Sequence, residues 1–139
     1  MSKTAIVFWS GTGNTEAMAQ AVREGMEGKG AEVSVMGPSE FTADMVNDYD
    51  AIAFGCPAMG AEVLEETEFE PMFSSVEGTL AGKRVGLFGS WGWGNGAWME
   101  DWQARTEAAG ADTVPYVICM EAPDEAALAE CRAMGESLA

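Results

Sequence analysis

Six consecutive residues near the start of the chain combine glycines with short polar side chains. They are Ser10, Gly11, Thr12, Gly13, Asn14 and Thr15. The apolar, β-rich stretch 4–9 precedes them and predicts a buried strand, whereas 14–28 predicts a helix. A glycine loop between a strand and a helix presents free backbone N–H groups to an anion, and the helix N-terminus favours negative charge. We therefore predict a phosphate-binding loop, with Thr15 or a neighbour capping the helix, although six residues alone also fit an ordinary capping turn.

The loop also limits which phosphate it can hold. No Lys or Arg lies between residues 4 and 22, so the Gly-Lys-Ser/Thr sequence of a nucleoside-triphosphate loop is absent. A dinucleotide fingerprint needs a third glycine after Gly11 and Gly13, and Glu16 stands at that position. The loop therefore suits a single terminal phosphate that amides and hydroxyls hold without a cation.

Length and charge restrict the class of protein and the kind of partner. The chain has 139 residues, which predicts one domain spanning 1–139, and its apolar content of 47% excludes a disordered chain. The net charge of −16 argues against nucleic acid and anionic membranes as partners. The same charge favours basic proteins, through electrostatic steering that salt weakens.

The histidine and cysteine content restricts the kinds of catalytic and metal-binding site that the chain can form. Histidine is absent, which removes the commonest general base, the histidine-containing triads and most transition-metal sites. Cys56, Cys119 and Cys131 form no C-x-x-C pair, so we expect free buried thiols in a reducing compartment, with a redox or metal role as the alternative. No signal peptide and no apolar run long enough to span a bilayer are present, so we expect a cytoplasmic protein.

Strand-like and helix-like stretches alternate along the whole chain. Strands are predicted at 4–9, 32–36, 51–56, 84–90 and 113–119. Helices are predicted at 14–28, 69–76, 97–109 and 123–138, with a short helical turn at 42–46 that Thr42 or Ser39 caps. This alternation predicts an α/β fold with a doubly wound parallel sheet. The loops 10–15, 57–62 and 90–96 then meet at one edge, where open α/β sheets bind ligands.

The loop after the fourth strand is rich in tryptophan and glycine. It contains Ser90, Trp91, Gly92, Trp93 and Gly94. Trp93 stands between two glycines and can offer its ring face to a flat ligand, whereas Trp91 fits a ligand face and the protein core equally well. We place Trp98 and Trp102, four residues apart on the next helix, in the core.

The loop after the third strand offers a second wall for a flat ligand. It contains Pro57, Ala58, Met59, Gly60, Ala61 and Glu62. A thioether packs well on aromatic rings, so Met59 can cover the opposite ring face, although filling a gap in the core is the alternative. Glu62 can accept a hydrogen bond from a ring N–H, and a solvated carboxylate is the alternative there.

These segments together resemble the short-chain flavodoxins of anaerobes. The resemblance rests on the loop 10–15, on Cys56-Pro57-Ala58-Met59-Gly60, on Val63-Leu64-Glu65-Glu66 and on Gly92-Trp93-Gly94, and it runs with few gaps from 4 to 138. It implies a five-stranded parallel sheet of order 2-1-3-4-5 with helices on both faces. It also implies non-covalent FMN and one-electron transfer between low-potential redox proteins.

The same resemblance assigns a part of FMN to each loop. It implies that residues 10–15 bind the phosphate and that Ser90 lies near the ribityl chain. It places Met59 and Trp93 on opposite faces of the isoalloxazine ring, and Glu62 at the N3–H edge of that ring.

The resemblance further implies a peptide flip at Gly60, whose carbonyl then accepts a hydrogen bond from N5–H of a neutral semiquinone. The net charge of −16 disfavours the fully reduced anion, which we expect only at low potential. Relatives often carry Asp, Gly, Ser or Asn where this chain has Ala61. Because a β-carbon tolerates the positive φ of the unflipped turn poorly, at a cost of about 1 kcal/mol, we predict that Ala61 favours the flipped turn and the semiquinone.

Glu65 and Glu66 continue the acidic stretch that begins at Glu62. We predict that basic faces of redox proteins dock there, with a solvated acidic face as the alternative. We expect a monomer and an electron carrier that catalyses no substrate reaction by itself. The alternative function is an FMN-dependent reductase acting on a small acceptor. A response-regulator receiver is not favoured, because the strand ends lack the acidic residues and the lysine that it needs.

Overall fold

The computed structural model describes residues 2–11, 13–59, 63–92 and 96–139. Strands and helices alternate in the described chain, as the sequence predicts. The strands are β1 (Lys3–Phe8), β2 (Glu32–Met36), β3 (Ala51–Gly55), β4 (Arg84–Trp91), β5 (Asp112–Thr113) and β6 (Val117–Met120). The α-helices are α1 (Asn14–Gly28), α2 (Phe69–Glu77), α3 (Ala97–Ala108) and α4 (Glu125–Leu138). Two short 3₁₀ helices, Pro38–Glu40 and Ala43–Asp48, connect β2 to β3.

The strands form one parallel sheet of order β2-β1-β3-β4-β5, in which β6 also pairs with β4. Ala5 of β1 is in register with Ser34 of β2 and with Ile52 of β3, and Ile52 is in register with Val85 of β4. Every residue of β3 is buried, as a continuous apolar run in a central parallel strand predicts. The predicted order 2-1-3-4-5 is confirmed.

The edge of the sheet differs from the prediction. We expected one strand over 113–119, and two short segments pair with β4 instead. Thr113 lies opposite Val85 and Val117 opposite Phe88, so the edge has one more residue than β4 over this distance. Pro115 stands in the gap, and a proline has no N–H for the ladder. The extra residue is therefore accommodated as a bulge on the outermost strand, where bulges and prolines are tolerated.

Helices cover both faces of the sheet. Ala5, Ile52 and Phe54 point to the face covered by α2 and α3, and Ile6 and Ala53 point to the face covered by α1 and α4. Trp98 and Trp102 are each 2% exposed, which confirms that both belong to the core.

Helix starts use short acidic and hydroxyl side chains in different ways. The Asp124 carboxylate accepts a hydrogen bond from the N–H of Ala127 at 2.8 Å and caps α4, as helix N-termini prefer. The predicted cap by Thr42 is wrong, because its hydroxyl donates to the Asp44 carboxylate at 2.5 Å and accepts no helix N–H.

Among the described residues, no helix is long and apolar enough to cross a membrane.

Candidate functional site

The carboxyl ends of β1, β3, β4 and β6 meet at one end of the sheet, and a cavity of about 650 Å³ opens there. Its described lining residues are Trp9, Gly11, Asn14, Pro57, Ala58, Met59, Ser90, Trp91, Gly92, Glu121 and Ala122. The cavity lies where the strand order reverses between β1 and β3, which is where open α/β sheets bind ligands. Its volume is that of a small-molecule site.

The loop between β1 and α1 is closed on itself by Ser10. The hydroxyl oxygen of Ser10 accepts hydrogen bonds from the N–H of Gly13 at 3.1 Å and from the N–H of Glu16 at 3.3 Å. Gly13 precedes the helix with a φ of 94°, a left-handed conformation that glycine adopts without strain. Thr15, one of the predicted caps, is 1% exposed, and its hydroxyl lies 3.5 Å from that of Ser90. Within the first turn of α1, Ser10 therefore satisfies the N–H of Glu16.

This loop can hold an anion without a cation. The N–H groups of Asn14 and Thr15 open α1 and have no acceptor one turn earlier, so they are available to a ligand together with the positive end of the helix dipole. Gly11 lies against Trp9, where a β-carbon would approach the indole ring to 3.0 Å. No described residue that lines the cavity is Lys or Arg. The donor set is that of a site for one phosphate group held by amides and hydroxyls.

The second wall is formed by the chain that follows β3. The N–H of Cys56 donates to the carbonyl of Phe88 at 3.1 Å, and the N–H of Ala58 donates to that of Ser90 at 3.0 Å. These bonds hold the segment after β3 alongside the end of β4. Met59 and Val63 then exchange two backbone hydrogen bonds of 2.9 and 3.1 Å as an antiparallel pair. Met59 is thereby held at the cavity.

The third wall combines the ends of β4 and β6. Trp91 lines the cavity and also packs against the core on the α2 and α3 side, so its position fits both of the alternatives that the sequence left open. Its carbonyl accepts a hydrogen bond of 2.7 Å from the N–H of Glu121, which brings Glu121 and Ala122 to the cavity. Glu121 has a φ of 56°, in the left-handed region that a residue with a β-carbon rarely adopts.

The structure brings together most of the predicted site residues that it describes. Eight of them line the cavity: Gly11, Asn14, Pro57, Ala58, Met59, Ser90, Trp91 and Gly92. Ser10, Gly13 and Thr15 support the cavity from the loop and the helix start. Thr12, Gly60, Ala61, Glu62, Trp93 and Gly94 lie outside the described residues, so the predictions made for them stay predictions.

Sequence reasoning missed Trp9, Glu121 and Ala122. Trp9 follows β1 directly, and its indole N–H donates to the Glu68 carboxylate at 2.9 Å, which joins the first loop to the start of α2. Glu121 and Ala122 follow the last strand segment. The rule that ligands bind beyond the carboxyl ends of parallel strands covers these positions too, and it could have found them.

Glu65 does not lie on an exposed acidic surface, which corrects the predicted docking role of this residue. Its side chain is buried, with 6% of the residue exposed, whereas Glu66 next to it is exposed. Burial by itself raises the pKa of the Glu65 carboxyl. The hydroxyl of Thr67 and the N–H groups of Phe69, Glu68 and Thr67 outweigh this effect and lower the pKa to about 2. The carboxylate therefore stays charged as a structural acceptor.

The three cysteines are free, and Cys56 and Cys131 are buried. Burial raises the pKa of the thiols of Cys56 and Cys131 to about 12 and raises the pKa of Cys119 as well. All three are therefore protonated at neutral pH, which makes them poor nucleophiles. In the described part of the chain, no group of three or more acidic or cysteine side chains could hold a metal ion.

Fold and cavity together define a doubly wound α/β protein with a small-molecule site at the switch point of its sheet. A sequence model of the family described as "Flavodoxin" matches residues 6–135. The flavodoxin of Megasphaera elsdenii is 47% identical over 134 residues, covering 96% of each chain. That of Clostridium beijerinckii is 43% identical over 136 residues, covering 96% of this chain and 97% of its own length. The solution structure of two-electron reduced Megasphaera elsdenii flavodoxin covers 97% of both chains with a TM-score of 0.90 at 46% identity.

The chain belongs to the flavodoxin family. It is an FMN-binding electron-transfer protein that carries electrons between redox proteins. The described residues fit this cofactor. A helix start with free N–H groups suits its phosphate, the nearly buried hydroxyl of Ser90 suits a polyol, and the wall that contains Met59 and Trp91 suits a flat aromatic ring.

Proposed function

We propose that each wall of the cavity binds one part of FMN. Residues 10–15 take the phosphate, Ser90 takes the ribityl chain, and the segments 57–62 and 91–94 enclose the isoalloxazine ring. The observation that carries this assignment is the cavity at the switch point, with a cation-free helix start on one side and Met59 and Trp91 on the other. When bound, FMN supplies the one-electron chemistry. The residues of the chain bind it, orient it and set its potential.

The charge of the protein is expected to keep the potential low. The chain carries a net charge of −16, and the described cavity lining contains Glu121 and no Lys or Arg. Added negative charge on the cofactor is therefore unfavourable at close range. We expect the second electron to enter only at low potential, and we expect that potential to rise with ionic strength because salt screens the repulsion.

We further propose that the protein does not turn over a small substrate by itself. Among the described residues that line the cavity, Glu121 is the only one with a titratable side chain. General acid–base catalysis needs a positioned proton donor or acceptor beside the reacting atoms, and the lining offers no second one. Turnover of a quinone with NAD(P)H alone would contradict this proposal.

Partner docking is proposed at the rim of the cavity rather than at Glu65. Met120, which is 59% exposed, precedes Glu121, and Val63, which is 40% exposed, pairs with Met59. Two exposed apolar side chains thus border the site; Glu121 directly follows Met120 in the chain, and the exposed Glu66 comes three residues after Val63. This surface fits a redox protein with an apolar contact surrounded by basic residues.

We propose that the carrier acts as a monomer, in a single domain.

A charge reversal at the rim tests this docking surface. Electron transfer from the reduced protein to a basic acceptor such as cytochrome c is timed at low salt for Glu66→Lys. A severalfold slower rate that converges with the wild-type rate at high salt is expected. Glu136→Lys, on the last turns of α4 at the opposite end of the sheet, is the matched control. Equal slowing by both substitutions would show that net charge alone decides the rate.

The flavin assignment is tested by titration and stepwise reduction. Apoprotein is titrated with FMN and with riboflavin, and tighter binding of FMN is expected because riboflavin lacks the phosphate. The holoprotein is then reduced anaerobically while its visible spectrum is recorded, and two separate one-electron steps are expected. Reduction in a single two-electron step would favour the alternative function, a reductase.

The cytoplasmic location, supported by three free cysteines, is checked by cell fractionation.

A further inference from the structure

Several hydrogen bonds hold the segment that joins the second wall of the cavity to α2. We call residues 57–59 and 63–64 the ring loop; the intervening 60–62 lie outside the described residues. The N–H of Glu65 donates to the sulfur of Cys56 at 3.4 Å, which closes the ring loop across its base. The carbonyl of Glu65 accepts a hydrogen bond of 2.8 Å from the N–H of Glu70, inside the first turn of α2. Leu64, the last residue of the ring loop, is 6% exposed and packs in the core.

The Glu65 carboxylate makes a second set of hydrogen bonds to the chain at the start of α2. One of its oxygens accepts the N–H groups of Glu68 and Phe69, each at 2.8 Å. The other accepts the N–H of Thr67 at 2.9 Å and the hydroxyl of Thr67. N–H groups at a helix start have no acceptor within the helix, and hydrogen bonds to an ionised acceptor are about twice as strong as neutral ones. The carboxylate therefore joins the end of the ring loop rigidly to α2.

The ring loop transmits this anchoring to the cavity wall. Val63 lies two residues before Glu65 and exchanges two backbone hydrogen bonds with Met59. Met59 lines the cavity. Glu65 is thus connected to the wall through Val63 and Met59, although it does not line the cavity itself.

We propose that Glu65 is a positioning residue for the flavin ring: its carboxylate locks the end of the ring loop onto α2 and so holds Met59 against the ring. The inference rests on the proposed placement of the ring beside residues 57–59. Glu65 acts through Val63 and Met59 and makes no contact with the cofactor.

The first test compares two ligands on one variant. In Glu65→Gln the side chain keeps its size, but its NH2 group faces N–H donors and only one oxygen accepts. Apoprotein is titrated with FMN and with riboflavin. Riboflavin keeps the ring and the ribityl chain and lacks only the phosphate, so a weaker ring wall is expected to raise both dissociation constants by about tenfold. Glu100→Gln removes the same charge from the exposed first turn of α3 and is the matched control, with both constants unchanged within about twofold.

The second test needs no cofactor. Amide hydrogen exchange is measured on the apoprotein of the wild type and of Glu65→Gln. Faster exchange is expected at Thr67, Glu68 and Phe69, and also at Met59 and Val63. Faster exchange at the helix start alone would mean that Glu65 only caps α2, and the proposal would fail. If Glu65→Gln does not fold, Thr67→Val replaces it. That variant keeps the charge and loses one donor, and a smaller change at Met59 and Val63 is then expected.

The outcomes separate this inference from the assignment on which it rests. A rise in the FMN constant without a rise in the riboflavin constant would place the effect of Glu65 on the phosphate side and overturn its positioning role. If wild-type protein binds riboflavin as tightly as FMN and Met59→Ala weakens neither ligand, the ring placement itself is wrong. The exchange rates at Met59 and Val63 then still decide whether Glu65 holds the ring loop.

Discussion

Helices α1 and α4 meet through glycines on one face of the sheet, whereas α2 and α3 cover the other face through aromatic rings. A β-carbon added at Gly25 would lie 2.0 Å from the carbonyl oxygen of Arg132, and one added at Gly135 would lie 2.1 Å from that of Val22. The two backbones therefore touch. Such contact leaves no slack, because neither backbone can move aside without moving its helix.

The opposite face is packed by side chains that meet edge to face. The ring centroids of Phe54 and Phe73 are 5.2 Å apart, and Trp102 stands nearly perpendicular to Phe73 at 5.7 Å. Arg105 lies over the Phe73 ring at 4.9 Å. Side chains can change rotamer where backbones cannot, so this face can tolerate small movements of what is attached to it. The two faces therefore support different loops of the site: the close-packed face supports the proposed phosphate loop, and the aromatic face supports the ring loop.

Gly135→Ala tests the close-packed face and is expected to have the largest effect. The added methyl would meet the Val22 carbonyl at 2.1 Å and the Met26 nitrogen at 2.9 Å, so α1 and α4 must separate. We expect a loss of about 3 kcal/mol or more in the free energy of unfolding, despite the roughly 1 kcal/mol by which alanine favours a helix. Urea unfolding measures it. Gly28→Ala, where a β-carbon meets nothing within 4 Å, is the control and is expected to be neutral or stabilising.

Arg105→Met tests the aromatic face. Arg105 on α3 makes paired hydrogen bonds to Glu70 at 2.7 and 2.8 Å and to Glu77 at 2.8 and 3.0 Å, both on α2. Methionine removes the guanidinium that lies over Phe73 and leaves two partly buried carboxylates without their ion-pair partner. We expect a loss of about 2 kcal/mol that decreases at high salt. Arg23→Met, which breaks an exposed pair with Glu27, is expected to cost a few tenths of a kcal/mol. An equal loss in both variants would mean that α2 and α3 are not joined by Arg105.

The sequence predicted the order and the bounds of most elements because glycines, prolines and apolar periods mark them locally. It did not predict the split edge strand, since one residue too many opposite β4 becomes visible only when the register is known. The acidic stretch shows the same limit. Glu65 and Glu66 are chemically alike, and only the turn before α2 decides that the first is buried and the second exposed. A residue type alone cannot carry that information.

Acid unfolding tests the junction between the aromatic face and the ring loop. The pKa of Glu65 is about 2 in the folded protein, below its ordinary value of 4.5. As the pH falls, the unfolded state therefore binds this proton first, so the stabilisation is complete above about pH 4.5 and is lost towards pH 2. Because Thr67 and Glu68 beside it are exposed, solvent screens the site, and we expect about 1 to 2 kcal/mol.

The measurement compares urea unfolding of the wild type and Glu65→Gln at several pH values. The difference between them should be largest at neutral pH and should shrink as the pH falls below 4.5. A constant difference down to pH 3 would show that packing, rather than the charge, accounts for the effect of Glu65.

Ser90→Ala tests whether anything besides the backbone contact with α4 holds α1 in place, and it is expected to have the smallest effect on stability. The hydroxyls of Thr15 and Ser90 are buried but 3.5 Å apart, at the outer limit of a hydrogen bond. Removing one of them should change the free energy of unfolding of the apoprotein by less than about 0.5 kcal/mol, because the close glycine contacts already fix the helix. The FMN dissociation constant should nevertheless rise severalfold if the Ser90 hydroxyl serves the ribityl chain. Ser34→Ala, on β2 away from the cavity, should leave it unchanged. If Ser90→Ala lowers the stability by more than 1 kcal/mol, the hydroxyl pair is structural and the rigidity of this face does not come from its glycines alone.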